Sequence, residues 1–543
     1  MLNRLKNAAS DPRSFSCGPA AQRGYCCPLH HMIGAFSAQR DAPALQTAAP
    51  ESFADATPKQ QSRFCNSDRT ATAGLYERVD AGRPIVFRNA RVLTMQNGAV
   101  LERHDVVTRD GKVVAVQPTG QPLPANAVLV EAGGKTLLPG LSDIHVHLFV
   151  SGWAASFAPM LKDAGDGSQY MLPYDLLLFL FLANGITRVE VLAGCPDALW
   201  MRESVKSGSL VGPNLSVGSP LIDGWPPLQS ASMSYIAIDA AGGRRAGEQI
   251  ADMGFEFAKP YTNLPPAAYF ALVETCHRRG IRIMGHVPKD VGIDAAVARG
   301  QQGIAHAAEF FFNEAGASRY DEARIDRLAR LLADAGTWVQ ATVAVTNRVE
   351  WLMDGKPLRS PDRRYMNSVQ RAMWSEESPV LAMIRADDSR KKFTENAYEL
   401  TGKVVRALHG HGARLLTGTD VPNPHVVEGF TLHEELEDLV NHCGVSPSDA
   451  LLASTRRAAE YLGESVADGT VTVGAKADLV LVDGDPLTDI RATRGVQTVL
   501  TGNHLLRKAG IDEGLRRVLA AYEAMPQPTI AVGANWGEGA KSE

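Results

Sequence analysis

The sequence lacks any long apolar run: the longest, LLLFLFLA at 176 to 183, stops at Asn184 and Gly185, far short of the roughly 20 residues that a membrane helix needs. It reads as a buried helix. A surplus of one charge is missing too, since 55 Lys and Arg face 60 Asp and Glu for a net charge of -5 and a pI near 6.3. That excludes the basic field by which proteins hold nucleic acid or an anionic membrane. No CxxC pair occurs, and the seven cysteines, Cys17, Cys26, Cys27, Cys65, Cys195, Cys276 and Cys443, are odd in number. A zinc ribbon and a disulfide framework are both disfavoured, and reduced thiols are expected. There is no GxSxG elbow, and HEELE at 433 to 437 ends on Glu437 where a zincin helix would carry its second histidine. Serine-triad and zincin chemistry therefore have no support. A secretory signal is also not recognised, because the best apolar stretch near the start, MIGAFSA at 32 to 38, is short and late. The cytoplasm is favoured over the periplasm or secretion.

What is present is a globular composition, 45% hydrophobic and 21% charged, ample for a large core. Residues 1 to 78, rich in Ala, Ser, Gln, Pro and Arg without apolar periodicity, are expected to form a weakly ordered leader. Alternating apolar residues then mark short strands over 79 to 140, with a turn at Asp110 and Gly111, and again over 463 to 510. A small β-sandwich domain built from both ends of the chain accounts for both stretches. A C-terminal helix and tail, 511 to 543, follow. Between them, over 141 to 462, strand-like and helix-like segments alternate. The strand-like segments are 142 to 148, 186 to 193, 214 to 221, 255 to 261, 281 to 287, 303 to 309, 337 to 345 and 414 to 420. Eight such units predict a (β/α)8 barrel of the TIM type, inserted into the β domain, with its reactive groups at the strand C-terminal ends.

The stretch DIHVHL, 143 to 148, places His145 and His147 on one face of the first barrel strand, because alternate residues on a strand point the same way. Two imidazoles so placed are half of a metal site. The other predicted strand ends carry Lys259 on the fourth, His286 on the fifth, His306 on the sixth and Asp420 on the eighth. Together with PGLSDIHVHL, LANGITRVEVLAG, FAKPY, IAHAAE, TGTDVP, FTLHEEL, GVSPSDALLASTRRAAEYLG and GAKADLVLVDGDP, these make the chain resemble the amidohydrolase superfamily. Within it, the likeness is to the imidazolonepropionase-like and prolidase-like branch, over about residues 84 to 506.

The resemblance implies a metal-dependent hydrolase of C–N bonds, with a lysine at the end of the fourth strand carbamylated by CO2. Its ligand set would be His145, His147 and Asp420 around one divalent ion and His286 and His306 around a second, with the Lys259 carbamate between them. An ordinary lysine is a poor ligand because its ammonium is protonated, and the carbamate removes that conflict. Two ions, expected to be zinc from the imidazole and carboxylate donors, would share and activate a hydroxide, with Asp420 as the catalytic proton acceptor. The substrate expected is a small amide, either a dipeptide of the Xaa-Pro type or an N-acyl or N-aryl amino acid. Tyr261, His425, His433 and Trp225 are the candidate substrate contacts, and a homo-oligomer is expected because many relatives form one. The alternative is a cyclic-amide hydrolase or heterocycle deaminase of the same superfamily. Deamination is the weaker reading: in those enzymes a Glu follows the fifth-strand histidine, whereas here Val287 and Pro288 follow His286 and Glu309 lies after His306.

Overall fold

Apolar side chains alternating along nine short strands build a sheet whose members come from both ends of the chain. A computed structural model describes residues 70–531 apart from 163, 164, 166, 230–232, 313–319 and 356–360. The leader expected up to residue 78 lies mostly outside the described residues. Residues 70 to 76 are held by Asp175, whose carboxylate accepts from Thr72 N at 2.8 Å and Thr72 Oγ1 at 3.1 Å.

The strands of the first half are β1 (Glu77–Arg78), β2 (Ile85–Leu93), β3 (Val100–Arg109), β4 (Lys112–Pro118), β5 (Val128–Glu131) and β6 (Lys135–Pro139). After the barrel strands β7 (Leu141–Val146), β8 (Ile186–Val191), β9 (Asn214–Asp223), β10 (Ser234–Ile236), β11 (Phe257–Pro260), β12 (Arg282–Gly285), β13 (Gly303–Ile304), β14 (Trp338–Gln340) and β15 (Arg414–Leu416) come β16 (Leu479–Asp483), β17 (Val496–Thr501) and β18 (His504–Arg507). The end sheet runs β1-β18-β17-β16-β6-β2-β3-β4 with β5 on β2. The junction of the two halves is β16 against β6, antiparallel from Leu479↔Pro139 to Asp483↔Lys135. Phe87, Val92, Val106, Leu137, Leu479, Leu500 and Leu505 fill its own core.

The second sheet is parallel, in the order β7-β8-β9-β11-β12-β13-β14-β15, with β10 added beside β9. It closes where β7 meets the chain after β15, through Ile144 N to Thr417 O at 3.0 Å and a bridge between Val146 and Val421. This is the eight-stranded barrel expected from the sequence. Its interior is filled by Ile144, Leu192, Phe257, Met284 and Leu416, with Tyr461 packed on them. Two predicted strands are shorter than their apolar runs suggested: 337 to 345 is strand only to Gln340 and enters the helix Val343–Met353, and 303 to 309 is strand only to Ile304. Buried runs without alternation do not distinguish strand from helix, and the turn at each strand end decides.

The outer helices follow local signals. Ala240–Met253 starts at Asp239, whose side chain accepts from Gly242 N, and ends on Gly254 in the left-handed conformation, as N-cap and C-cap chemistry require. The run LLLFLFLA lies in the helix Tyr174–Ala183, every residue of which is buried. Among the described residues no helix is long and apolar enough to cross a membrane.

Candidate metal centre

The parallel strands deliver their C-terminal ends to one rim of the barrel, and the chain turns sharply there to aim side chains at its axis. His306, Thr342 and Asp420 have left-handed backbones, with φ of 65°, 47° and 60°, a conformation that costs a non-glycine residue about 1–2 kcal/mol and gathers at functional sites.

At the closing seam, His145 Nε2 lies 3.2 Å and His147 Nε2 3.1 Å from Asp420 Oδ1. Potential ligand atoms of these three residues lie within 4.8 Å of one another. His306 Nε2 is 3.9 Å from Asp420 Oδ2, and its ring centroid is 4.5 Å from that of His145 and 4.9 Å from that of His286. Lys259, at the end of β11, is completely buried. Its charge is close enough to help depress both His145 and His286, after burial itself, which alone is the larger cause in each. His145 is pushed down to about 3 and His286 well below its usual range. The six side chains singled out at the strand ends thus occupy one neighbourhood, all buried.

The donor set fits a divalent ion, as the far sides of the rings show. His147 Nδ1 meets Leu192 O at 2.5 Å; a carbonyl only accepts, so the proton is on Nδ1 and the lone pair is on Nε2, toward Asp420. His306 Nδ1 is 2.9 Å from Thr342 Oγ1, and His286 Nδ1 is 2.9 Å from Glu309 Oε1 and 3.2 Å from Thr262 Oγ1. With Nδ1 occupied on the outer side, His147, His286 and His306 leave Nε2 as the ligand atom, the arrangement a metal ion needs.

Several of these supporting groups escaped the sequence reading. Asp143, inside the DIHVHL stretch, accepts from Thr419 Oγ1 at 2.7 Å and Thr419 N at 3.0 Å, and burial raises it to about 7. It ties the first strand to the residue before Asp420. Glu309, weighed only as a deaminase acid, orients His286 and accepts from Val287 N at 3.3 Å. An acid following a ligand motif in sequence was visible; its direction was not.

Gly418 in TGTD is required by contact, because a Cβ there would lie 2.6 Å from His145 Cβ. Gly418→Ala is expected to displace His145, at a cost of about 1–3 kcal/mol from overpacking, and to lower bound metal, which elemental analysis would report. Unchanged metal content would contradict this placement.

The candidate substrate contacts separate. Tyr261 is fully buried with its ring 4.3 Å from His286, and its hydroxyl meets Gln229 Nε2 at 3.3 Å. His425 stands in the loop after Asp420, 7% exposed, with burial and then Arg363 and Arg348 holding it down to about 3. His433 faces the C-terminal β region instead, with Nδ1 3.0 Å from Thr493 Oγ1. Trp225 is 43% exposed, and from its loop it is Leu228 that packs on Tyr261. Residues in an irregular loop carry no period from which their direction can be read.

The sequence pattern of the amidohydrolase family matches residues 136–503. The chain belongs to the amidohydrolase family. This amidohydrolase is accordingly a hydrolase of C–N bonds, and metal dependence is typical of the family. It is similar to the imidazolonepropionase of Photorhabdus laumondii subsp. laumondii, 28% identical over 137 residues that span 20% of this chain and 33% of that enzyme. It is also similar to the imidazolonepropionase of Acidiphilium cryptum, 24% identical over 429 residues covering 76% of this chain and 95% of that one. Among solved structures, a Xaa-Pro dipeptidase with methionine bound in its active site superposes with a TM-score of 0.60 at 18% identity, covering 78% of the amidohydrolase and 100% of the dipeptidase. That likeness shows a shared fold.

Proposed function

We propose that this amidohydrolase cleaves the amide of a dipeptide of the Xaa-Pro type or of an N-acyl or N-aryl amino acid, and that it is metal-dependent through two divalent ions. The observation that carries this is the meeting of His145, His147, His306 and Asp420 around one point, with Lys259 buried beside them. His145, His147 and Asp420 would hold one ion, His286 and His306 the other, and carbamylated Lys259 would join them; zinc suits these donors best. A buried ammonium among imidazoles would repel cations, and carbamylation reverses its sign. When bound, such ions lower the pKa of water and polarise a carbonyl.

The rest of the work falls to the chain. Asp420, the carboxylate of the cluster, would take a proton from the attacking water and return it to the leaving nitrogen. Glu309 and Leu192 O, which only accept, hold the orientation and tautomer of His286 and His147, and Thr262 and Thr342 hold the orientation of His286 and His306. Tyr261, whose ring lies 4.3 Å from that of His286, would meet a substrate carboxylate. The solved Xaa-Pro dipeptidase supports a dipeptide; the two imidazolonepropionases support the second reading, a cyclic amide.

The test is elemental analysis together with an assay for released amino acid. Two ions per chain are expected, with activity lost on chelation and restored by Zn2+. Lys259→Ala should lose metal and activity, with partial recovery in added short-chain carboxylic acids that replace the carbamate. One ion per chain with no dependence on Lys259 would favour the cyclic-amide reading, and full metal loading with no turnover of any amide would contradict the proposal.

A further inference from the structure

The stretch HEELE lacks the second histidine of a zincin helix, yet its third residue reaches the surroundings of the metal centre. Glu435 lies on the helix Thr431–Asn441 and is fully buried. Its Oε2 accepts from Ala344 N at 2.8 Å, and burial holds the carboxyl well above its usual range. Burying a carboxyl is costly, and the chemistry above makes no use of this one.

The identity of the donor supplies a reason. Ala344 is the second residue of the helix Val343–Met353, whose N-cap is Thr342. A threonine in that position ordinarily turns its own hydroxyl onto the N–H of the second or third helical residue. Thr342 does not. Its side chain makes no cap hydrogen bond, its backbone is left-handed with φ of 47°, and its Oγ1 lies 2.9 Å from His306 Nδ1. Two demands that would compete for one hydroxyl are thus divided between two residues. Glu435 satisfies the helix from a neighbouring helix, and Thr342 is left to hold the imidazole.

We propose that Glu435 is a positioning residue for the metal centre: by capping the helix Val343–Met353 in place of Thr342, it keeps the Thr342 hydroxyl on His306. This rests on the reading of His306 as a ligand of the second ion. The path is short, running from Glu435 Oε2 to Ala344 N, back two residues to Thr342, and from Thr342 Oγ1 to His306, whose Nε2 is 3.9 Å from Asp420 Oδ2. Without Glu435, Ala344 N would be one of the orphan donors of a helix start, and the hydroxyl in the ordinary capping position is that of Thr342. Its rotation onto the helix releases His306. Groups that orient a ligand histidine from behind contribute about 10- to 100-fold to metal affinity.

The experiment is calorimetric titration of the metal-free full chain with Zn2+. Glu435→Leu is expected to weaken one of the two sites by about 10- to 100-fold and to leave the other unchanged, because His145, His147 and Asp420 are not held through Thr342. Glu435→Gln keeps an oxygen for Ala344 N and should bind both ions as wild type does. Thr342→Val should weaken the same site as Glu435→Leu, and the double variant should be no weaker than Thr342→Val, since two steps of one path do not add. Wild-type binding in Glu435→Leu, equal weakening of both sites, additive losses, or a Glu435→Gln as damaged as Glu435→Leu overturns the role. Should Glu435→Leu fail to fold, Glu435→Asp, which withdraws the carboxyl by one methylene, is read in the same way: selective loss of one site supports the role and unchanged binding overturns it. A crystal structure of the metal-free variant separates this role from the metal reading. If wild type takes up fewer than two ions, a Thr342 hydroxyl found on Ala344 N supports the positioning role and the two-ion reading alone fails, whereas a hydroxyl still on His306 overturns the positioning role.

Discussion

Asp420→Asn is expected to lower kcat by about a thousandfold, within the range by which positioned acid–base groups act, while leaving thermal unfolding little changed. The substitution keeps the shape of the side chain and the backbone hydrogen bond from residue 420 N to His145 O at 2.8 Å. It removes a carboxylate that approaches His145, His147 and His306 together, at 3.2, 3.1 and 3.9 Å. An amide cannot accept a proton from water at neutral pH, and it is a weaker partner for a cation than a carboxylate. Steady-state kinetics with metal content measured on the same sample separates the two losses: a fall in kcat with metal retained identifies the base, whereas a fall in proportion to lost metal identifies a ligand. Activity within tenfold of wild type at full metal content would remove Asp420 from both roles.

The largest stability effect is expected deeper in the barrel, at Glu190 on β8. This carboxylate is fully buried and reaches Arg282 Nη2 at 3.0 Å and Tyr461 OH at 2.9 Å, with Ser216 Oγ at 3.3 Å and Gln340 Nε2 at 3.4 Å. It joins β8, β9, β12 and β14 across the barrel interior, and the Arg282 guanidinium also lies over the rings of Phe257 and Tyr461. Glu190→Leu would leave that cation without its carboxylate, a loss of about 3–5 kcal/mol when a buried pair is broken from one side. A lower urea midpoint and melting temperature should report it. Adding Arg282→Met should recover part of the loss, because replacing both members of a buried pair by apolar groups costs far less than removing one. If the double variant is no more stable than Glu190→Leu, the pair is not the source of the effect.

The barrel was legible because eight apolar strand segments alternate with amphipathic helices whose caps, such as Asp239 and Gly254, stand in the sequence. The split β domain was legible for a similar reason, since 84 to 139 and 479 to 507 share the same alternation, although their pairing through β16 and β6 becomes visible only in three dimensions. At the site, His145 and His147 could be read from strand period, and Lys259, His286, His306 and Asp420 from predicted strand ends together with the family resemblance, Lys259 through the FAKPY motif above all. The residues that set their geometry could not. Asp143 resembles any strand residue until Thr419 is folded onto it, and Glu309 and Thr342 act across left-handed turns that no periodicity announces. The loop contacts were least legible: Trp225 drew attention as a large apolar residue, but the backbone turns Leu228 and Gln229 inward.

The first and last barrel strands meet at a seam where the polypeptide between them spans most of the fold, and the proposed metal site straddles that seam. During synthesis, His145 and His147 leave the ribosome long before Asp420, so a nascent chain displays its paired imidazoles before the carboxylate that lies against them in the folded protein has been made. The strands β16 to β18 that complete the end sheet come later still. The site therefore cannot assemble until both edges of the barrel have been made.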